Sequence, residues 1–120
     1  MIKTIGGNEF TFNTKLGTTL KIKKRFNKPF NAVLENIDKM DVEDLIRLLH
    51  CGIDENETPL NDFKDHLLET IGLMELYELV QSFIKQIQYP GLSDEEIDAK
   101  LKEKNLEAQA MQNMTSLKNS

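Results

Sequence analysis

Asp41-Val42-Glu43-Asp44-Leu45-Ile46-Arg47-Leu48-Leu49-His50-Cys51-Gly52-Ile53 decides the fold class, together with the segment that follows a short polar loop, Asn61-Asp62-Phe63-Lys64-Asp65-His66-Leu67-Leu68-Glu69-Thr70-Ile71. In the first segment Val42, Leu45, Ile46, Leu49 and Ile53 recur at helical spacing and share one face, with Leu48 to the side. Asp41 is placed as the N-cap, and Glu43 and Asp44 sit in the first turn, where carboxylates meet the positive end of the helix dipole. Gly52 stands near the end as a C-terminal stop. In the second segment Phe63, Leu67 and Ile71 fall at i, i+4 and i+8 with Leu68 alongside, and Asn61 is in position to cap. Two neighbouring amphipathic helices describe a helical layer.

Working outward, Gly72 ends or kinks the second helix, and Leu73, Leu76, Tyr77, Val80, Phe83, Ile84 and Ile87 then keep the helical period until Pro90-Gly91. Leu79 lies off that stripe. Ser93-Asp94-Glu95-Glu96 is a capping box, opening a last helix to roughly Met111 with a thin apolar face of Ile97, Leu101, Ala108 and Met111. On the N-terminal side, Phe30, Val33, Leu34 and Ile37 mark a short helix over residues 29–37. Thr14 is placed to cap a helix over residues 15–27, whose apolar side is Leu16 and Leu20 with Ile22 and Phe26. Before it, Ile2-Lys3-Thr4-Ile5 and Glu9-Phe10-Thr11-Phe12 flank Gly6-Gly7-Asn8, the pattern of a β-hairpin. An isolated hairpin is marginal in water, so it must pack on helices, on more strands or on another molecule. The expected architecture is α+β and predominantly helical: an N-terminal β-hairpin followed by five to six packed helices. One domain is expected over residues 1–112, with a flexible tail over 113–120.

Hydrophobic content of 39% and charged content of 29% describe a globular chain. No apolar run is long enough to span a membrane, and the first residues lack the apolar core of a signal peptide, so a cytoplasmic location is expected. The net charge of −5 is unevenly spread. Residues 1–30 hold seven basic residues against one acidic, and the remainder holds eight basic against nineteen acidic. Lys21, Lys23, Lys24 and Arg25 are the densest basic cluster, and they are candidates for meeting the acidic helices of a next copy in a head-to-tail array. The same cluster is the alternative reading, a small nucleic-acid-binding regulatory module, although the acidity elsewhere would repel phosphate.

Bond-making chemistry finds little support. His50 and Cys51 are neighbours on a helix and point about 100° apart, which does not suit shared ligation of zinc. Asp54-Glu55-Asn56-Glu57-Thr58 resembles the start of a calcium loop, but Pro59 stands where the turn glycine is needed and Asp65 where the bidentate glutamate is needed. No serine occupies a nucleophile elbow, and Gly6-Gly7 is no phosphate loop. Cys51 is the only cysteine and reads as a small buried hydrophobe. No catalytic residue, metal or cofactor is expected.

Several strings taken together resemble the tail assembly chaperones of long-tailed bacteriophages and prophages of Gram-positive bacteria. They are Ile5-Gly6-Gly7-Asn8-Glu9-Phe10, the basic helix ending Arg25-Phe26, Phe30-Asn31-Ala32-Val33-Leu34-Glu35-Asn36-Ile37-Asp38, the 41–49 segment, and Pro59-Leu60-Asn61-Asp62-Phe63. The likeness covers about residues 3–90. It implies an α+β, non-enzymatic protein of the host bacterial cytoplasm, absent from the finished virion. Such proteins bind the tape measure protein, keep it soluble and help recruit tail tube subunits; this chain is similar to the shorter of the two frameshift-related forms. A binder of amphipathic helices needs apolar area beyond its own core. Leu48, Leu73, Met74 and Leu79, at or beyond the edges of the core stripes, are the candidates for it.

Overall fold

The computed structural model describes residues 1–93 and 95–102. The chain divides into two units, Met1–Pro90 and Gly91–Ser120. The first opens on β1 (Ile2–Ile5) and β2 (Asn8–Thr11), paired antiparallel with Lys3 opposite Phe10 and Ile5 opposite Asn8. There follow α1 (Leu16–Phe26), α2 (Phe30–Glu35), a single 3-10 turn (Ile37–Lys39), α3 (Val42–His50), α4 (Leu60–Thr70) and α5 (Leu73–Gln88). This is the α+β, mostly helical arrangement expected.

The hairpin turn is Gly6-Gly7, with φ of 54° and 85°, the backbone of a tight two-residue hairpin turn. Gly6 is required twice over, because a Cβ there would run into the Thr70 side chain at the end of α4. The hairpin is stabilised by helices rather than by further strands. Phe10 and Phe12 both meet the Phe63 ring edge-on, at centroid distances of 5.2 and 6.2 Å, and Phe12 also meets Phe83 at 5.8 Å. Such pairs add about 0.5–1.5 kcal/mol each beyond their burial. His66 on α4 donates from Nε2 to the Ile5 carbonyl at 2.7 Å, tying β1 down. The Asn13 N–H donates to the Gly52 carbonyl at 2.6 Å. Gly52 thus serves close packing rather than a helix stop: a Cβ there would stand 2.7 Å from Phe83.

α3 is the hub, packing on both α4 and α5, while α1 packs on α2 and α5. Asp41 caps α3 as expected, its Oδ1 accepting from the Asp44 N–H at 2.8 Å. Because α3 is covered on several sides, it buries Leu48 and His50 as well as Leu45, Ile46 and Leu49. Leu48, expected as spare surface, is instead fully enclosed. Leu79 is likewise buried, since α5 is covered by α1 as well as α3 and its apolar arc widens to take in Leu76, Leu79, Val80, Phe83 and Ile87.

Two helix starts differ from expectation. Asn61 is not the cap of α4; Pro59 precedes the first helical residue, Leu60. Thr14 does not cap α1 either; it is buried, and Lys15 stands at the cap position without a side-chain cap bond. The Lys15 N–H is met instead by Asn13 Oδ1 at 2.9 Å. Of the expected apolar side of α1, Ile22 is buried and Phe26 packs against the core, but Leu16 and Leu20 face outward and Thr18 is buried in their place. In this orientation the Thr18 hydroxyl reaches the Asn13 carbonyl at 2.8 Å. Asn27 ends the helix in the left-handed region at φ 54°.

In the second unit residues 95–102 are helical. Ser93 Oγ accepts from the Glu96 N–H at 3.1 Å, the first half of the expected capping box, and donates to Glu96 Oε1 at 3.2 Å. Ile97 is buried. Ala108, Met111 and the expected boundary between residues 112 and 113 lie outside the described residues.

Candidate functional site

The two ends of α3 carry the two features with functional potential. At the C-terminal end, Arg25 of α1 reaches across, and its Nη1 donates to the Arg47 carbonyl and to His50 Nδ1, both at 3.0 Å. The other ring nitrogen of His50, Nε2, faces the Thr58 carbonyl at 2.8 Å. A carbonyl only accepts, so Nε2 carries the proton and Nδ1 is the acceptor for the guanidinium: His50 is held as one neutral tautomer. Burial, more than the adjacent Arg25 charge, pushes its pKa below the ordinary value. Arg47 adds a stacking contact, its guanidinium 5.2 Å from the centre of the Phe26 ring, and an ion pair with Asp44 at 3.2 Å.

A cleft of about 500 Å³ opens beside this junction between Lys21, Lys24 and Arg25 on one wall and Asp54 and Glu55 on the other. Charges of both signs face it, so a phosphate entering would meet carboxylates as well as lysines. Of the four residues in the basic cluster, Lys21, Lys23 and Lys24 are exposed. Arg25 is turned inward and engaged by α3, which corrects its expected place on an outer surface. Cys51 lies at the cleft floor, buried, with Sγ 3.4 Å from the Arg47 carbonyl. Its thiol is pushed to a higher pKa chiefly by burial, which keeps it protonated and poorly nucleophilic.

The N-terminal end of α3 is different in kind. Val42 and Ile46 of α3, Leu67, Leu68 and Ile71 at the end of α4, and Leu73 and Leu76 at the start of α5 line a groove of about 110 Å³. It forms because the chain turns at Ile71-Gly72 with extended backbone and sends α5 off in a new direction. The side chains that line it are apolar, and part of the lining stays in contact with solvent: Leu68 is 55% exposed and Leu73 50%. Met74, 69% exposed, and Tyr77 continue the apolar surface along α5. Carboxylates surround it in sequence. Asp41 and Glu43 flank Val42, Glu69 follows Leu68, and Glu75 precedes Leu76, all four on exposed residues. Residues 60–80 hold five acidic side chains against one lysine, Lys64, which is itself paired with Glu43 at 3.1 Å.

No family model, curated protein or solved structure matches this chain.

Among the four residues singled out in the sequence for partner contact, Leu73 lines the groove, Met74 is exposed next to it in the chain, and Leu48 and Leu79 are withdrawn into the core. Sequence reasoning missed Val42, Leu68 and Ile71. Leu68 carried a readable signal, since it stands one position off the α4 stripe. Val42 did not, because it sits squarely on the expected core face of α3, yet it is 38% exposed.

Proposed function

We propose that this chain is a non-enzymatic tail assembly chaperone of a long-tailed bacteriophage, which binds the helical tape measure protein, keeps it soluble in the host cytoplasm and helps recruit tail tube subunits. The observation that carries this reading is the solvent-open groove where α3, α4 and α5 meet, with Leu68, Leu73 and Met74 exposed around it. An apolar trough bounded by two helix ends suits the ridge of an amphipathic helix, whose stripe would otherwise aggregate. The acidic surround favours a stripe flanked by Lys or Arg. The chain is also expected to self-associate.

Co-expression with a long helical tape measure protein tests the proposal. The full-length chain should carry that protein into the soluble fraction. Leu73→Asp with Met74→Asp should leave the chain folded and abolish the rescue. Equal solubility of the long protein with and without the chain would overturn the reading. Retention on DNA columns at low salt, lost on Lys21→Glu with Lys24→Glu, would favour the nucleic-acid module instead.

A further inference from the structure

We infer that, before a partner arrives, the groove is filled by α1 of a second copy of this chain. This deepens the reading above by naming what else that groove accepts, and it starts from a second unpartnered surface. Leu16 and Leu20 stand i, i+4 on the outward side of α1, 82% and 67% exposed, with Lys23 one turn further along the same face. The opposite side of the helix is the one that is buried, through Thr18 and Ile22. Two adjacent leucines on a surface helix with lysines at its end are the chemical complement of a leucine-sized apolar groove among carboxylates.

The two surfaces cannot meet within one molecule. Arg25 fastens the C-terminal turn of α1 to Arg47 and His50, at the end of α3 away from Val42. α3 is about 12 Å long between those ends, and α1 is further held by its buried residues. A ridge on one chain that fits a groove elsewhere on the same chain is satisfied only between copies, either reciprocally in a two-fold pair or head-to-tail. In the head-to-tail case each added copy leaves one ridge and one groove open, so assembly extends or closes into a ring; the reciprocal pair stops at two. One helix ridge buries little area, so the contact is weak, concentration-dependent and displaceable by a longer apolar stripe. Leu16 and Leu20 thereby take over, as the central contact, the role that charge alone assigned to the basic cluster.

Sedimentation velocity of the full chain at rising concentration in low salt tests this. The wild type should show a growing average mass. Leu20→Asp, on the ridge, and Leu68→Asp, in the groove, should each weaken association about tenfold or more, and circular dichroism should report both as folded. The deciding experiment mixes the two variants. The Leu68→Asp chain keeps a sound ridge and the Leu20→Asp chain a sound groove, so together they should form a one-to-one pair and nothing larger. A wild type that stays monomeric at millimolar concentration, association indifferent to either substitution, or variants that fail to complement would each overturn the inference. Co-expression separates the two proposals. Leu20→Asp should still solubilise the long protein, so a monomeric wild type that does so sinks only the self-contact. A self-associating chain that rescues nothing sinks only the chaperone reading.

Discussion

The C-terminal end of α3 is polar, with its buried groups paired and a cleft of mixed charge beside it, whereas its N-terminal end is apolar and only partly covered. At the first, every hydrogen-bonding group of His50 has a partner, and Arg25 and Thr58 are drawn from other elements to supply it. Among the described residues, no buried side-chain nitrogen or oxygen lacks a partner. At the second, Val42, Leu68 and Leu73 are only partly covered. The difference separates architecture from function. A buried polar network that satisfies itself has nothing left to offer a ligand, and its work is to hold α1, α3 and the 54–58 loop in register. Apolar surface left in water is a standing cost that association removes.

The contrast is sharpest where it can be broken. Phe63 supports the polar end, its ring meeting those of His50 at 5.8 Å and of Phe10 and Phe12. Phe63→Ala should lower stability by about 3–5 kcal/mol, read as a shift in the urea midpoint; a loss under 1 kcal/mol would mean the hairpin is not anchored there. Arg25→Ala strips the donor from His50 Nδ1 and the Arg47 carbonyl, and should cost about 1–3 kcal/mol. Both bonds come from the one nitrogen Nη1, so a lysine at the same position, with one ammonium on a slightly shorter side chain, should recover part of the loss.

Acid should act on the same junction. The folded state depresses the His50 pKa, so it prefers the neutral ring. The unfolded chain binds a proton more readily, and stability from this group is therefore complete above about pH 6.5. It is lost progressively as pH falls from there through the lower folded value, where an imidazolium would confront the Arg25 guanidinium. Thermal melts between pH 7.5 and 5 should show this slope, and His50→Gln should flatten it. The smallest stability effect belongs to the open end. Leu73→Ser with Met74→Ser should change the melting free energy by about 0.5 kcal/mol or less while removing the solubilising activity, and a large loss of stability would mean the groove is core after all.

Much of this molecule was legible in its residues, and the failures are instructive. The hairpin, the start of α3 at Asp41 and the course of α5 were readable because each is a local matter: a Gly-Gly turn, a side chain bonding a backbone amide three residues on, a run of apolar residues at one period. The orientation of α1 was not. Leu16 and Leu20 look like a core stripe, yet Thr18 is inside with Ile22, in the orientation that also lets Arg25 reach the end of α3.

By itself the sequence determined the fold class, the order of elements and the acidic character of the helical half, since these follow from local hydrogen bonding, periodicity and charge. Only the tertiary structure decided which leucines face water. Periodicity shows that a helix has an apolar face, but the width of the arc that is covered depends on how many neighbours pack around the helix. α3 and α5 have neighbours enough to enclose Leu48 and Leu79, while the turn at Ile71-Gly72 leaves Leu68 and Leu73 with none on their outer side.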